Sequence, residues 1–164
     1  MKSAVPIVAV AATGAMLAAA VQAAGPARLG NVYYEDIFTN NTCNGTTIEC
    51  RFYSSTPTPT DAFVRIKHAA CQVSTINNGV VFRAKLQVWN GIPGSTGATA
   101  LKEFPLGVPQ PILYGTSSYV STIDNETTFL VGAGRYIALD VMSYPGNIET
   151  SGLCGITGDL IPPQ

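Results

Sequence analysis

Over residues 128–144, and again over 153–161, apolar, β-branched and aromatic residues alternate with small or polar ones at a period of two. That period belongs to strands, because a helix would repeat its apolar side chains every three or four residues. A loop holding Pro145, Gly146, Asn147 and Gly152 separates the two runs, so they read as paired strands. Ile137, Leu139 and Val141 then face a core, and Tyr136, Ala138, Asp140 and Met142 face the other way.

The preceding chain repeats this grammar. Residues 31–38, 47–53 and 63–74 read as strands, and residues 80–89 alternate most cleanly. There Val80, Phe82, Ala84, Leu86 and Val88 take one face, and Val81, Arg83, Lys85, Gln87 and Trp89 take the other. Shorter strands are expected over 98–104, 111–114, 117–123 and 126–131, with Asp124-Asn125 as a break between the last two. Asn44-Gly45 and Asn77-Asn78-Gly79 carry turn chemistry. Pro57 and Pro59 mark a loop, because proline cannot donate to a central ladder. Beyond residue 23 no segment carries a helical stripe. The pattern predicts an all-β fold: a single antiparallel β-sandwich, jelly-roll-like and disulfide-bonded, occupying residues 24–164.

Residues 1–23 read as a signal peptide. Lys2 supplies a short positive start, residues 4–20 form an alanine-rich apolar run, and Val21-Gln22-Ala23 offers small, spaced residues for cleavage after Ala23. Later apolar runs are all shorter than a membrane span. The whole chain carries a net charge of −1 at pH 7, and losing Lys2 makes it more negative. Nucleic acid and anionic membrane are therefore poor partners, since both demand a basic surface.

Cys43, Cys50, Cys71 and Cys154 make an even count in a chain read as exported, which points to disulfides and to a periplasmic or extracellular location. Pairing Cys43 with Cys50 and Cys71 with Cys154 gives one local and one long-range clip, and this is the favoured connectivity of the three possible. The chain-entropy model assigns roughly 2.5 kcal/mol to the short loop and roughly 4.5 kcal/mol to the long one. Zinc is a poor fit, because no Cys-x-x-Cys spacing occurs and His68 is the only histidine. Asp124-Asn125-Glu126 is read as a plain turn and not a calcium loop. No metal and no cofactor is expected.

Catalytic signatures are equally thin. His68 and Cys71 are three apart in a strand and so point to opposite faces, and no Gly-x-Ser-x-Gly elbow occurs. Asp140 and Asp159 each interrupt an apolar strand. If the last two long strands are neighbours, both carboxylates share a face with Tyr136 and Thr157, which would suit glycan cleavage. Otherwise they are solvated or paired with arginine.

Aromatic residues carry the better lead. Trp89 ends a polar strand face bearing Arg83, Lys85 and Gln87, and Tyr136 and Asp140 lie on the outward side of their own strand. A ring beside hydrogen-bonding side chains is how a sandwich grips a sugar, although a single tryptophan also commonly fills or caps a core.

Phe129-x-Val131-x-Ala133-Gly134-Arg135-x-Ile137-x-Leu139, then Ser143, then Cys154-x-Ile156-Thr157-Gly158-x-Leu160 resembles the C-terminal pattern of small exported β-sandwich proteins of proteobacteria. Gly132 departs from it, standing where many of those proteins carry proline. The resemblance spans about the last 35 residues and implies a fold and an export route, with no activity attached.

Three expectations follow. The first is an exported, non-catalytic module that binds a glycan or another cell-envelope component through Trp89, Arg83, Lys85, Gln87, Tyr136 and Asp140, and it requires Trp89 to face solvent. The alternative is a structural or adhesive subunit that self-assembles, which requires exposed strand edges or an apolar patch. The third is a glycan-active enzyme, which requires Asp140 and Asp159 to converge.

Overall fold

A computed structural model describes residues 26–43, 48–107, 109–149 and 152–163; the signal-peptide reading and the Asn44-Gly45 turn fall outside them. Among the described residues twelve strands form: β1 (Ala27–Leu29), β2 (Tyr33–Phe38), β3 (Asn40–Asn41), β4 (Glu49–Tyr53), β5 (Phe63–Ile76), β6 (Val80–Trp89), β7 (Ala100–Pro105), β8 (Gln110–Tyr114), β9 (Ser118–Val131), β10 (Tyr136–Tyr144), β11 (Asn147–Ile148) and β12 (Leu153–Ile161). Every pairing is antiparallel. Seven strands form one sheet in the order β1-β2-β12-β5-β9-β8, with β11 added on β5; five form the other, β3-β4-β10-β6-β7. The central strands β2-β12-β5-β9 and β4-β10-β6-β7 give the interleaved order of a jelly roll, in which the chain repeatedly crosses from one sheet to the other.

That crossing corrects the opening expectation. The strands β10 and β12 are not paired: β10 lies between β4 and β6, and β12 lies between β2 and β5 in the opposite sheet. Short spacing along the chain suggested a pair, but the loop between them changes sheets. The Asn77-Asn78-Gly79 turn does the same between β5 and β6, with Asn77 and Asn78 both in the left-handed region. Nor does Asp124-Asn125 break a strand, because β9 runs unbroken through it, held by β5 along most of its length.

Between the sheets lies one apolar core. Val64, Ile66, Val73, Ile123 and Ile156 meet Phe52, Leu86, Ile137, Leu139 and Val141, all buried. Burying each such side chain contributes about 1.5–3 kcal/mol. The alternation of β6 departs from expectation at its start: Val81 is buried and Phe82 exposed, not the reverse. A bulge explains it, since Met142 pairs with Arg83 while the adjoining Ser143 pairs with Val81, leaving Phe82 as the extra residue.

Both cysteine pairs form. Cys43 joins Cys50 with 5.0 Å between Cα atoms, and Cys71 joins Cys154 with 4.0 Å. Cys71 and Cys154 are register partners on β5 and β12. Neither bond links the two sheets. Two disulfides fit an oxidising compartment outside the cytoplasm, and no helix among the described residues is long and apolar enough to cross a membrane.

One charged residue faces inward. On β2 the buried positions are Tyr34, Asp36 and Phe38, and Asp36 is only 1% exposed. Tyr34 donates to its Oδ2 at 3.5 Å, and Oδ1 has no partner. Burial pushes the carboxyl up to about 7, opposed in part by the Tyr34 hydroxyl. In the unfolded chain this group loses its proton near pH 4, so between about pH 4 and 7 the folded state holds the extra proton and stability falls as pH rises. Asp140, pushed up to about 6, acts in the same direction. The melting temperature is therefore expected to decline from pH 4.5 to pH 8, and Asp36→Asn to stabilise the chain by about 2 kcal/mol at pH 8 and flatten the profile. Calorimetry across that range checks both, and a native profile that rises toward pH 8 would contradict the assignment.

Candidate functional site

The outer face of the five-stranded sheet collects the residues singled out from sequence. With Phe52, Leu86 and Leu139 pointing into the core, their strand neighbours must point out. Register then builds rows across β4, β10 and β6: Glu49 with Met142 and Arg83, Arg51 with Asp140 and Lys85, and Tyr53 with Ala138 and Gln87. Tyr136 lies opposite Trp89, and Glu103 of β7 lies opposite Gln87. Trp89, Arg83, Lys85, Gln87, Tyr136 and Asp140 thus share one face of two adjacent strands. Arg51, Glu49 and Glu103 complete it and were not anticipated; the period-two pattern of β4 was the only signal for the first two.

A chain of hydrogen bonds runs over this face. The Trp89 Nε1–H donates to Gln87 Oε1 at 3.0 Å, which fixes the direction of the amide. Gln87 Nε2 then donates to Glu103 Oε1 at 2.8 Å and reaches Asp140 Oδ2 at 3.4 Å. Lys85 Nζ donates to Glu103 Oε2 at 2.7 Å. This Lys85 contact, then Gln87, holds the Glu103 carboxyl below its usual range.

Arg51 Nη2 donates to Glu49 Oε1 at 2.6 Å, and the guanidinium lies over the Trp89 ring, 5.5 Å from its centroid. The tryptophan is consequently not an open platform. It is 9% exposed, contrary to the expectation from β6 alone, because its cover comes from a strand distant in sequence. The 90–97 loop also folds back toward the end of β3, placing Gly94 beside Thr42, with Pro93 buried.

At the centre of the face the polar groups do not close. Asp140 is 1% exposed, and its Oδ1 has no hydrogen-bond partner. Arg51 Nε stands 3.8 Å away, near enough to attract and too far to hydrogen-bond. Arg51 Nε and Arg83 Nε are likewise buried without partners. Burial first, then repulsion from Glu49, raises the Asp140 carboxyl to about 6, against the pull of Arg51 and Arg83.

Asp159 takes no part. It lies on the outer face of the other sheet, ion-paired to Lys67 at 2.7 Å, so the sandwich separates it from Asp140 and the two-carboxylate arrangement is overturned. Thr157 goes with Asp159 and Tyr136 with Asp140. On that second face His68 Nε2 lies 2.5 Å from Asp124 Oδ1. Beside them a hollow of about 430 Å³ opens over Gly155 and Ala70, flanked by Ile37 and Leu153. That hollow is lined mainly by apolar atoms and holds no aromatic ring, and a larger one of about 780 Å³ lies beside Lys67, His68, Phe104 and Glu126, also away from Trp89. Among the described residues no three His, Cys, Asp or Glu side chains converge as metal ligands.

No protein-family model, curated protein or solved structure matches this chain.

Proposed function

We propose that this chain is an exported, non-catalytic binding protein that takes a polyhydroxylated ligand, a glycan or glycan-bearing component of the cell envelope, on the outer face of the five-stranded sheet. One observation carries the reading: an unsatisfied acceptor, Asp140 Oδ1, lies buried 3.8 Å from an unsatisfied donor, Arg51 Nε. A hydroxyl is the group that serves both at once, accepting from an arginine and donating to a carboxylate. Trp89 lies beside them under the Arg51 guanidinium, and it supplies the flat apolar area a sugar ring requires once that cover moves aside. On this reading residues 1–23 are removed on export, and the oxidised chain works in the periplasm or outside the cell.

Self-assembly is the competing reading, and β8 speaks for it. All five of its residues are exposed, including Ile112, Leu113 and Tyr114. Yet each sheet edge carries a device that discourages pairing. Strand β8 contains Pro111, β7 contains Lys102 and Glu103, β1 is three residues long with Arg28, and β3 has two residues. Strand donation would also require withdrawing β12 from between two neighbours, to one of which it is covalently bound.

Sedimentation of the oxidised chain with a panel of envelope polysaccharides, read beside the emission of its single tryptophan, tests the choice. The expected result is a monomer whose emission shifts on binding, with affinity about tenfold weaker in Asp140→Asn. A large assembly with unchanged emission sinks this reading in favour of the self-assembling subunit.

A further inference from the structure

We infer that Arg51 is the specificity-determining gate of this face: its guanidinium occupies the side of Trp89 on which a pyranose ring would stack, and ligand binding displaces it. The inference rests on the glycan reading above and adds a residue that must move.

Three features of Arg51 carry it. Its side chain is 27% exposed and lies over an indole that is itself nearly buried, so the guanidinium is the outermost layer there. Its short contact is to Glu49, which is more exposed than Arg51 and stands farther from Trp89 in the register. That contact gives the guanidinium a place to swing toward. Its contact with Asp140, by contrast, is too long for a hydrogen bond and leaves both atoms unsatisfied. The closed arrangement is therefore incompletely bonded at the position a ligand hydroxyl would fill. Because the Arg51 side chain is itself partly exposed, its cation–π attraction is weak enough to be displaced, worth about a two- to fivefold population bias.

The ligand class follows from what must be replaced. An entering group has to cover an aromatic face, donate to a carboxylate and accept from an arginine. The C–H face and hydroxyls of a neutral sugar do all three. A small anion meets only the last requirement, and Asp140 and Glu49 repel it.

Acrylamide quenching of the single tryptophan tests the gate without any ligand. In Arg51→Ala the quenching constant is expected to rise about threefold, with Arg51→Lys intermediate because an ammonium keeps the charge but not the planar cover. Circular dichroism confirms that each variant is folded, and the lysine variant carries the test if the alanine variant is not. Titration with neutral gluco-, manno-, galacto- and N-acetylglucosamine-configured tetrasaccharides then separates the two ideas. A gate predicts that Arg51→Ala binds at least one of them about threefold more tightly than the native chain, since nothing need be displaced. Unchanged quenching overturns the gate, because the ring is then covered by the 90–97 loop. Raised quenching with weaker binding also overturns it and makes Arg51 a ligand contact. Raised quenching with no binding by either chain leaves Arg51 as the cover of Trp89 and overturns the sugar as its displacer, and with it the glycan reading.

Discussion

A chain in which Cys71 and Cys154 are both alanine is expected to unfold with about 4 kcal/mol less stability than the oxidised native chain. The two cysteines are 83 positions apart in sequence and face each other across β5 and β12. Without the bond the unfolded chain regains the freedom of a long loop, and the folded chain loses little packing, since cysteine and alanine differ by one atom. Against a typical total of about 5–15 kcal/mol, that loss is a large share. Urea titration gives the measurement, with the Cys43→Ala/Cys50→Ala chain as comparison. Its shorter loop predicts a loss nearer 2.5 kcal/mol. Equal losses, or a larger one for the local bond, would show that loop length does not govern the effect.

Gly158→Val is the second large effect, expected to cost about 3 kcal/mol or more. A Cβ built at this position would lie 2.1 Å from the Arg65 carbonyl oxygen, an overlap with backbone that no rotamer relieves. The register of β12 on β5 shifts between Thr157 and Gly158, and the bare backbone there lets the two central strands close up at the irregularity. Gly132→Ala serves as the control, because its nearest neighbour would be the flexible Arg135 side chain at 3.8 Å. Thermal melts of the two variants should differ widely; near-equal melting temperatures would mean that β12 can shift without loss.

Which faces of the strands would be buried was legible wherever alternation was unbroken, as in β10, where Ile137, Leu139 and Val141 sit in the core as expected. Both disulfides were legible too, because an even count with one near and one far spacing leaves few sensible pairings. Partners were harder to see. A period of two says which side a residue faces but not which strand lies beside it, so the pairing of β10 with β12, and with it the Asp140–Asp159 site, failed when the intervening loop changed sheets. Bulges were invisible for a related reason: the sequence around Phe82 reads as clean alternation, and only the opposing strand reveals the extra residue. Asp36 went unnoticed as a core group because an acidic residue in an alternating run is normally assigned to solvent. The six candidate binding residues do share a face, whereas the cover over Trp89 comes from Arg51, 38 positions earlier in the chain, and no local rule connects them.

The bond between Cys71 and Cys154 also sets a path for mechanical load. A pull on the carboxyl end first meets β12, whose ladder can open residue by residue from Ile161 inward. It can open only as far as Cys154. Seven residues, 155–161, or about 24 Å of chain, are released, after which tension passes covalently into the middle of β5. Strand β5 is flanked on both sides and makes the longest pairing in the sandwich, with β9. While that bond is oxidised, a tether at this end yields a short fixed length and then becomes stiff; once it is reduced, the whole of β12 can be drawn out of the sheet.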